Sequence, residues 1–386
     1  MKRNWIERYT GFTLALNPLL NIIGIILLSI EGLKAKGLGA KIKADKPMWI
    51  IWTLMAGAGI ITIIVAADLP QAIQGFFIPF VIVWLYILGR WVIQDPATFV
   101  QDSIRGATIL SLITVLGKLF QLNWTIGAVR IITNFANGNH RGEVLYVADN
   151  LLGLLVQVGI IGALGSLFLY WKEKKNLVEN IIAVILNVGA LVITESRGAM
   201  MGTVAGILFL VICYGIIAIV SAGLFASVLF VFSRRLRVLF LTKEAGNNQW
   251  VRLEIWRGTL KMIKDHLLFG VGGGGFLKVF QKYRPASLAA ERYDHVVTCA
   301  HNNYLSIIAA WGIVGGVLFL GWQLVSLVRA IVKGLSALQK IVLAILISFF
   351  VHVLVNDLVV AYWGVFLGLM ENPYFKNNNS QSLQPK

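Results

Sequence analysis

Long apolar stretches separated by short polar ones make up most of the chain. Each is about 17 to 25 residues long with few charges, the length that a helix needs to cross roughly 30 Å of hydrocarbon. Stretches of this length favour helices over a membrane barrel. The pattern predicts an all-α, polytopic transmembrane bundle of about ten to twelve spans. They lie near 11–31, 48–67, 71–89, 104–121, 148–170, 178–194, two within 199–232, 303–322 and two within 341–371.

One long polar region interrupts these stretches. It suggests four parts: N-terminal transmembrane helices over 1–232, a loop domain over 233–302, C-terminal transmembrane helices over 303–371, and a disordered tail over 372–386. Within the loop, apolar residues recur at spacings of three and four, at Leu253, Trp256, Leu260 and Ile263. This spacing predicts an amphipathic helix on the outer surface.

The composition agrees with an integral membrane protein, with 58% hydrophobic and 13% charged residues and a mean hydropathy of +0.77. The net charge of +16 is explained by anchoring loops and by an anionic ligand, so we expect a lipid bilayer and no nucleic acid as partner. Two cysteines are too few for a disulfide framework.

Basic clusters predict the orientation in the membrane. The loops at 34–46, 172–175 and 329–333 are rich in lysine and arginine and are predicted to be cytoplasmic. Counting spans from them puts 122–147 and 233–302 outside, and it also puts the N-terminus outside, against its basic tip. The segment 233–302 holds twelve Lys or Arg against five Asp or Glu. A phosphate-bearing ligand would account for that excess.

Two arginines are candidates to bind such a ligand. Arg197, in the motif TESRGAM, lies between two apolar spans. There it either extends to the lipid headgroups or holds a phosphate by two parallel hydrogen bonds. Gly198 beside it would let a ligand approach the backbone. Arg252, just ahead of the amphipathic face, is either a ligand contact or a surface charge.

A histidine stands at the mouth of a span, in AHNNYLSIIAAWGIVGG. His301 is either a hydrogen-bonded structural residue or a proton acceptor that neighbouring cations keep neutral, from an ordinary pKa of about 6.5. We expect it to face a cavity bordered by Arg197 and Arg252. The residues that follow are candidates to orient sugar hydroxyls: Asn302, Asn303 and Tyr304.

Other polar residues give weaker signals. Arg130 and Arg141, in the first outer loop, either extend the anion site or are solvated, and Asn150 either hydrogen-bonds within the bundle or meets the acceptor. Asn356 and Asp357 interrupt the last apolar stretch and mark either a turn or a functional acid.

Two further patterns concern cofactors. The glycine run 270–275 satisfies G-x-G-x-x-G, but no strand precedes it, so it favours a flexible turn, and a hinge for the loop, over a nucleotide site. No acidic pair or His/Cys cluster has metal-ligand spacing. We therefore expect no metal and no cofactor.

The motifs ESRGAM, R-x-x-x-W at Arg252 to Trp256, DHLLFGVGGGGF and AHNNYLSIIAAWGIVGG follow one another over about 190–316. In order and spacing this set resembles the O-antigen ligase and polymerase superfamily, polytopic glycosyltransferases of bacterial envelopes. Asn150 resembles an asparagine of that family at an early outer span, although the family's frequent Asn-Pro-Asn is Asp149-Asn150 here.

The resemblance implies an inverting, metal-independent glycosyl transfer on the extracytoplasmic face of the inner membrane. The donor would be a glycan on undecaprenyl pyrophosphate, and the acceptor a hydroxyl of lipid A core or another surface molecule. Arg197 and Arg252 would hold the pyrophosphate, and His301 would be the base or positioner. A polymerase that joins repeat units would share these motifs. A bicarbonate or solute transporter would instead need buried charges along several spans and repeat symmetry.

Overall fold

A bundle of helices forms the protein in the computed structural model. The structure describes residues 2–66, 68–126, 129–133, 143–145, 147, 149–171, 173–174, 176–215, 223, 246–290, 296–357 and 362–375. The helices are α1 (Lys2–Leu16), α2 (Pro18–Lys34), α3 (Leu38–Ala44), α4 (Lys46–Ile64), α5 (Leu69–Ile87), α6 (Pro96–Leu119), α7 (Asp149–Tyr170), α8 (Leu177–Thr194), α9 (Arg197–Tyr214), α10 (Gly246–Asp265), α11 (Phe276–Phe280), α12 (Ala286–Ala290), α13 (Asn303–Val332), α14 (Ala337–His352) and α15 (Tyr362–Met370). A π-helical turn, Leu88–Val92, extends α5.

Seven helices of the described chain are long and apolar enough to cross a membrane. They are α4, α5 with its π-helical turn, α6, α7, α8, α9 and α13, and the pair α2 and α3, bent by 85°, would make an eighth. The predicted all-α polytopic bundle is confirmed. The second predicted run within 199–232 and most of the predicted tail lie outside the described residues.

Polar caps followed by proline set where several helices begin. Asn17, Asp68 and Asp95 each accept a hydrogen bond from a backbone N–H in the first turn of α2, α5 and α6. A proline occupies one of the first two positions of each helix, where its missing N–H costs nothing. The sequence therefore encodes sharp starts for these helices.

The N-terminal 34 residues form a helical hairpin, so the predicted single span at 11–31 is wrong. At one end of α1, Glu7 accepts hydrogen bonds from two backbone N–H groups just before α6, at 3.0 and 3.1 Å. At the other end, Asn17 donates to the carbonyl oxygen of Leu145 at 2.6 Å, and α2 then runs back. The N-terminus thus lies on the same side as the lysine-rich loop after α2, which we call the basic face.

Helix α7 lies at the centre of the bundle, and every residue from 152 to 166 is buried. It contacts α6, α8, α9 and α14. Small residues permit this contact: a Cβ on Gly153 would lie 2.6 Å from the Ala199 Cβ, and one on Gly159 would lie 2.3 Å from the Asn187 Oδ1. Helix α9, which begins with Arg197, is therefore packed directly against the bundle core.

A short antiparallel sheet stands between α6 and α7, opposite the basic face, on the side that we call the site face. Its order is β1 (Trp124–Ile126), β2 (Val129–Thr133) and β3 (Glu143–Val144). The hydropathy pattern did not predict it. The sheet is a minor addition to the helical bundle.

Helix α13 breaks at Gly312 (φ 66°, ψ −176°), and the glycine run 270–275 packs into the break. Two N–H groups of the run donate to the carbonyl oxygens of Ala309 and Ala310 at 2.9 and 3.0 Å. Two N–H groups beyond the break donate to carbonyl oxygens shortly before the run, at 2.8 and 3.3 Å. The run does fold back onto the membrane helices, but as a hydrogen-bonded insert rather than the flexible hinge that the sequence suggested.

Helix α10 buries a different face from the predicted one. Ile255 and Met262 are fully buried, whereas Leu253 and Leu260 are 49% and 54% exposed. The buried side packs with α11 and the residues before α13 into a small core of its own. The predicted stripe is wrong because the helix has apolar residues on two sides, and only one of them meets the protein.

Buried charges on the basic face pair with one another. Arg329 donates to both carboxylate oxygens of Asp45 at 2.9 and 3.0 Å. Arg90 contacts Asp45 at 2.5 Å and Glu371 at 3.2 Å. Two cations and two carboxylates thus form a closed network that joins α4, α5, α13 and the end of α15.

Candidate functional site

Arg197 begins α9 at the site face, directly after a sharp turn. Glu195 has a left-handed backbone (φ 48°), and the side chain of Ser196 caps the helix. The Ser196 hydroxyl donates to Asn150 Oδ1 at 2.7 Å and ties the turn to α7. Arg197 is half-buried, and among the described residues its buried Nε has no hydrogen-bond partner. A cation with an unpaired donor at a helix N-terminus is unfavourable unless an anion binds there.

Arg197 and Arg252 line one cavity of about 240 Å³. Its other lining residues are Met201, Leu253, Trp256 and Val355. None of these six residues is acidic, so two guanidinium groups face a mostly apolar space beside the positive end of α9. This arrangement has the charge and the donors that a phosphate group needs.

Trp256 links this cavity to His301. Its indole Nε1 donates to the carbonyl oxygen of Ala300 at 2.9 Å. Since Arg252 lies one turn earlier on α10, this bond holds Arg252 beside the segment that carries His301. His301 itself has a left-handed backbone, with a φ of 50°.

The surroundings of His301 favour a neutral imidazole. Burial lowers the pKa of His301, the positive charge of Arg252 lowers it further, and the negative charge of Asp357 opposes both. The ring Nδ1 lies 3.8 Å from the sulfur of Cys299. A half-buried, neutral imidazole beside a cation is suited to accept a proton.

The lowered pKa predicts the pH dependence of activity. If neutral His301 is the base, kcat/KM should stay high below the ordinary histidine pKa of about 6.5 before it falls. In Arg252→Gln, one cause of the lowering is lost, the pKa of His301 rises, and the acid limb should move to higher pH. The matched control is Arg257→Gln on the same helix, because Arg257 is exposed and paired with Glu254. An acid limb that stays in place in Arg252→Gln, measured over pH 4 to 8 at about 0.15 M salt, would contradict this role.

The three residues after His301 are largely engaged by the protein. Asn302 Oδ1 accepts the backbone N–H of Leu305 at 3.1 Å and caps α13. Asn303 is buried. The Tyr304 hydroxyl donates to the carbonyl oxygen of Phe350 at 3.1 Å, and Tyr304 lines a separate apolar cavity of about 490 Å³. Their predicted contacts with sugar hydroxyls remain predictions.

The other sequence candidates lie at varied distances from the cavity. Asn150 is exposed and bonded to the cap of α9, as noted above. Arg130 lies in β2, where only its backbone is described, and Arg141 lies outside the described residues. Gly198 does not face a ligand, because a Cβ there would lie 2.3 Å from Asn356 Nδ2. The expectation that Gly198 admits a ligand to the backbone is therefore wrong.

Asp357 joins the site more closely than its sequence signal indicated. It accepts a hydrogen bond from the Ser306 hydroxyl and lines a cavity of about 180 Å³ that Cys299 and Asn303 also line. Burial raises the pKa of its carboxyl, and the bond from Ser306 opposes this. The only sequence signal was an acidic residue within an apolar stretch, which marked it as either a turn or a functional residue. Its proximity to His301 identifies it as a site residue.

The fold and cavity together define a class: a multi-pass membrane protein with a cationic cavity next to a histidine at one face. Residues 182–320, a little over a third of the chain, match the family described as O-antigen ligase. The matched segment contains Arg197, Arg252 and His301, and it confirms the O-antigen ligase superfamily. The protein is therefore of the ligase or polymerase type of membrane glycosyltransferase. Comparison with curated proteins gives no match.

Proposed function

We propose that the protein transfers a glycan from undecaprenyl pyrophosphate to an acceptor hydroxyl, with inversion at the anomeric carbon and without a metal. The O-antigen ligase match supports glycan transfer in a membrane. The observation that carries the finer proposal is the cavity that Arg197 and Arg252 line together, beside His301.

The two arginines bind the pyrophosphate. As the bond from the anomeric carbon to the bridging oxygen breaks, its electron pair stays on that oxygen, and negative charge grows there. Two guanidinium groups in a low-dielectric cavity stabilise that charge more strongly in the transition state than in the bound donor. Among the described residues, no group of three His, Cys, Asp or Glu is placed to hold a metal ion. Guanidinium groups are thus the available cations, and metal independence remains to be tested with a chelator.

His301 accepts the proton of the acceptor hydroxyl while that oxygen forms the new bond to the anomeric carbon. Attack comes from the face opposite the leaving pyrophosphate, so the configuration inverts. Asp357, whose negative charge favours the protonated ring, stabilises the imidazolium that results. Asn150, Asn302, Asn303, Tyr304, Arg130 and Arg141 are proposed substrate contacts in the wider site.

The membrane environment suits a lipid-linked donor. Met201 and Leu253, which line the arginine cavity, are each 49% exposed, so its wall is apolar next to the bilayer. The carrier lipid would keep its tail among the helices and its pyrophosphate at the site face. By the positive-inside rule, the lysine-rich basic face is cytoplasmic and the site face extracytoplasmic in the inner membrane.

The decisive experiment is a transfer assay with purified protein in vesicles. The donor is an undecaprenyl-pyrophosphate-linked glycan and the acceptor is lipid A core, with EDTA present. We expect a product whose new linkage, by NMR, has the opposite anomeric configuration to the donor. Retained configuration, or activity that requires an added divalent metal, contradicts the proposal. Elongation of the donor glycan without core acceptor would identify a polymerase, and solute flux without transfer a carrier.

A further inference from the structure

A second histidine, His352, lies at the end of α14 and has no role in the proposed chemistry. It is fully buried, as is Gln157 on α7. The ring Nδ1 of His352 lies 3.2 Å from Gln157 Oε1. Gln157 Nε2 in turn donates to the carbonyl oxygen of Ala199, in the first turn of α9, at 2.8 Å. A polar chain therefore connects α14 and α7 to the turn that begins with Arg197.

The bonding pattern fixes the state of the ring. Because the Gln157 amide nitrogen donates to Ala199, its oxygen is the group that faces His352, and an amide oxygen only accepts. The His352 Nδ1 must then carry the proton and donate it. The ring acts as a neutral donor, a task that an amide nitrogen can also perform.

The first turn of α9 has no freedom to move toward this pair. A Cβ on Gly198 would lie 2.5 Å from His352 Cδ2, and one on Gly202 would lie 2.3 Å from Gln157 Nε2. The backbone of α9 thus rests directly on the two side chains. Their shape and hydrogen bonds determine how high α9 sits and how it is rotated.

We propose that His352 and Gln157 are positioning residues that set the place of the Arg197 guanidinium by holding the first turn of α9. The inference rests on the proposed function, in which Arg197 stabilises the leaving pyrophosphate. Since displacement of a catalytic group by about 1 Å costs on the order of 10²-fold in rate, loss of this support should reduce kcat without removing the arginine.

The test compares three variants in the vesicle transfer assay. His352→Phe keeps a ring but has no donor, and Gln157→Leu removes both hydrogen bonds. Each should lower kcat by roughly 10- to 100-fold with a change in KM of less than about threefold, because Arg197 acts mainly in the transition state. His352→Asn places an amide N–H near the position of Nδ1 and should restore most of kcat.

The matched control is Asn187→Leu on α8. Asn187 is also a buried amide, bonded to Ser111 at 2.8 Å and to the Ala183 carbonyl at 2.8 Å, but it does not contact α9. It should lower the melting temperature as much as Gln157→Leu while leaving kcat of the folded protein unchanged. If His352→Phe and Asn187→Leu alter kcat equally, or if His352→Asn fails to recover it, the positioning role is wrong. If Arg197→Ala itself leaves transfer intact, the proposed function fails instead.

Discussion

Replacing Arg197 by alanine is expected to lower kcat for glycan transfer by roughly 10²- to 10³-fold, the loss typical when one donor to a developing oxyanion is removed. The guanidinium lines the cavity with Arg252, and its Nε is buried without a partner among the described residues. A donor left unpaired in the protein is available to the substrate. Arg197→Lys keeps the charge but not the planar fork, so it should recover only part of the rate.

The same substitution should not destabilise the protein. A buried unpaired donor costs about 1 to 3 kcal/mol, and a cation at a helix N-terminus opposes the helix dipole. Arg197→Ala should therefore have an equal or higher melting temperature than the wild type, measured in detergent. Arg257→Ala, on the exposed side of α10, is the control for loss of one positive charge and should keep full activity. A stable Arg197→Ala protein with wild-type kcat would rule out the pyrophosphate clamp.

Hydropathy predicted most of the membrane helices because a span is long and uniformly apolar, and this signal is strong at every position. It failed where a local break lies inside such a run. Asn17 and the proline after it are the start signal of a helix, yet the surrounding residues are apolar enough to hide a hairpin within a single predicted span. Gly312 breaks α13 in the same unannounced way, since the bonds that stabilise the break come from a segment some forty residues earlier.

The site was predictable in its charged residues and not in its supports. Arg197, Arg252 and His301 stand out because a charge or an imidazole at the edge of a span is expensive and rare. The face of α10 was wrong because an apolar pattern does not distinguish protein contact from lipid contact, and Leu253 and Leu260 remain exposed. Gln157 and His352 carried no signal at all: a single polar residue within a span acquires meaning only when its partner on another helix is known.

Removing the imidazole of His301 is expected to lower kcat by roughly 10²- to 10⁴-fold, the usual contribution of a positioned general base. The choice of replacement matters, because His301 has a φ of 50° and alanine is strained in the left-handed region. Asparagine tolerates that conformation and keeps a polar side chain without a base, while glycine removes the side chain at no steric cost. If both variants fold with the wild-type melting temperature and both lose transfer, the loss belongs to the imidazole and not to the turn.

Chemical rescue separates a base from a positioner. His301→Gly leaves a space beside Arg252, so imidazole added to the assay should restore part of kcat, and the restored rate should rise with pH through the pKa of free imidazole. Added imidazole should have no effect on Arg197→Ala, which retains His301 and lacks the leaving-group contact instead. Should His301→Asn retain more than about a tenth of the wild-type kcat, well above what loss of a general base allows, the acceptor proton leaves by another route and His301 only holds the acceptor in place.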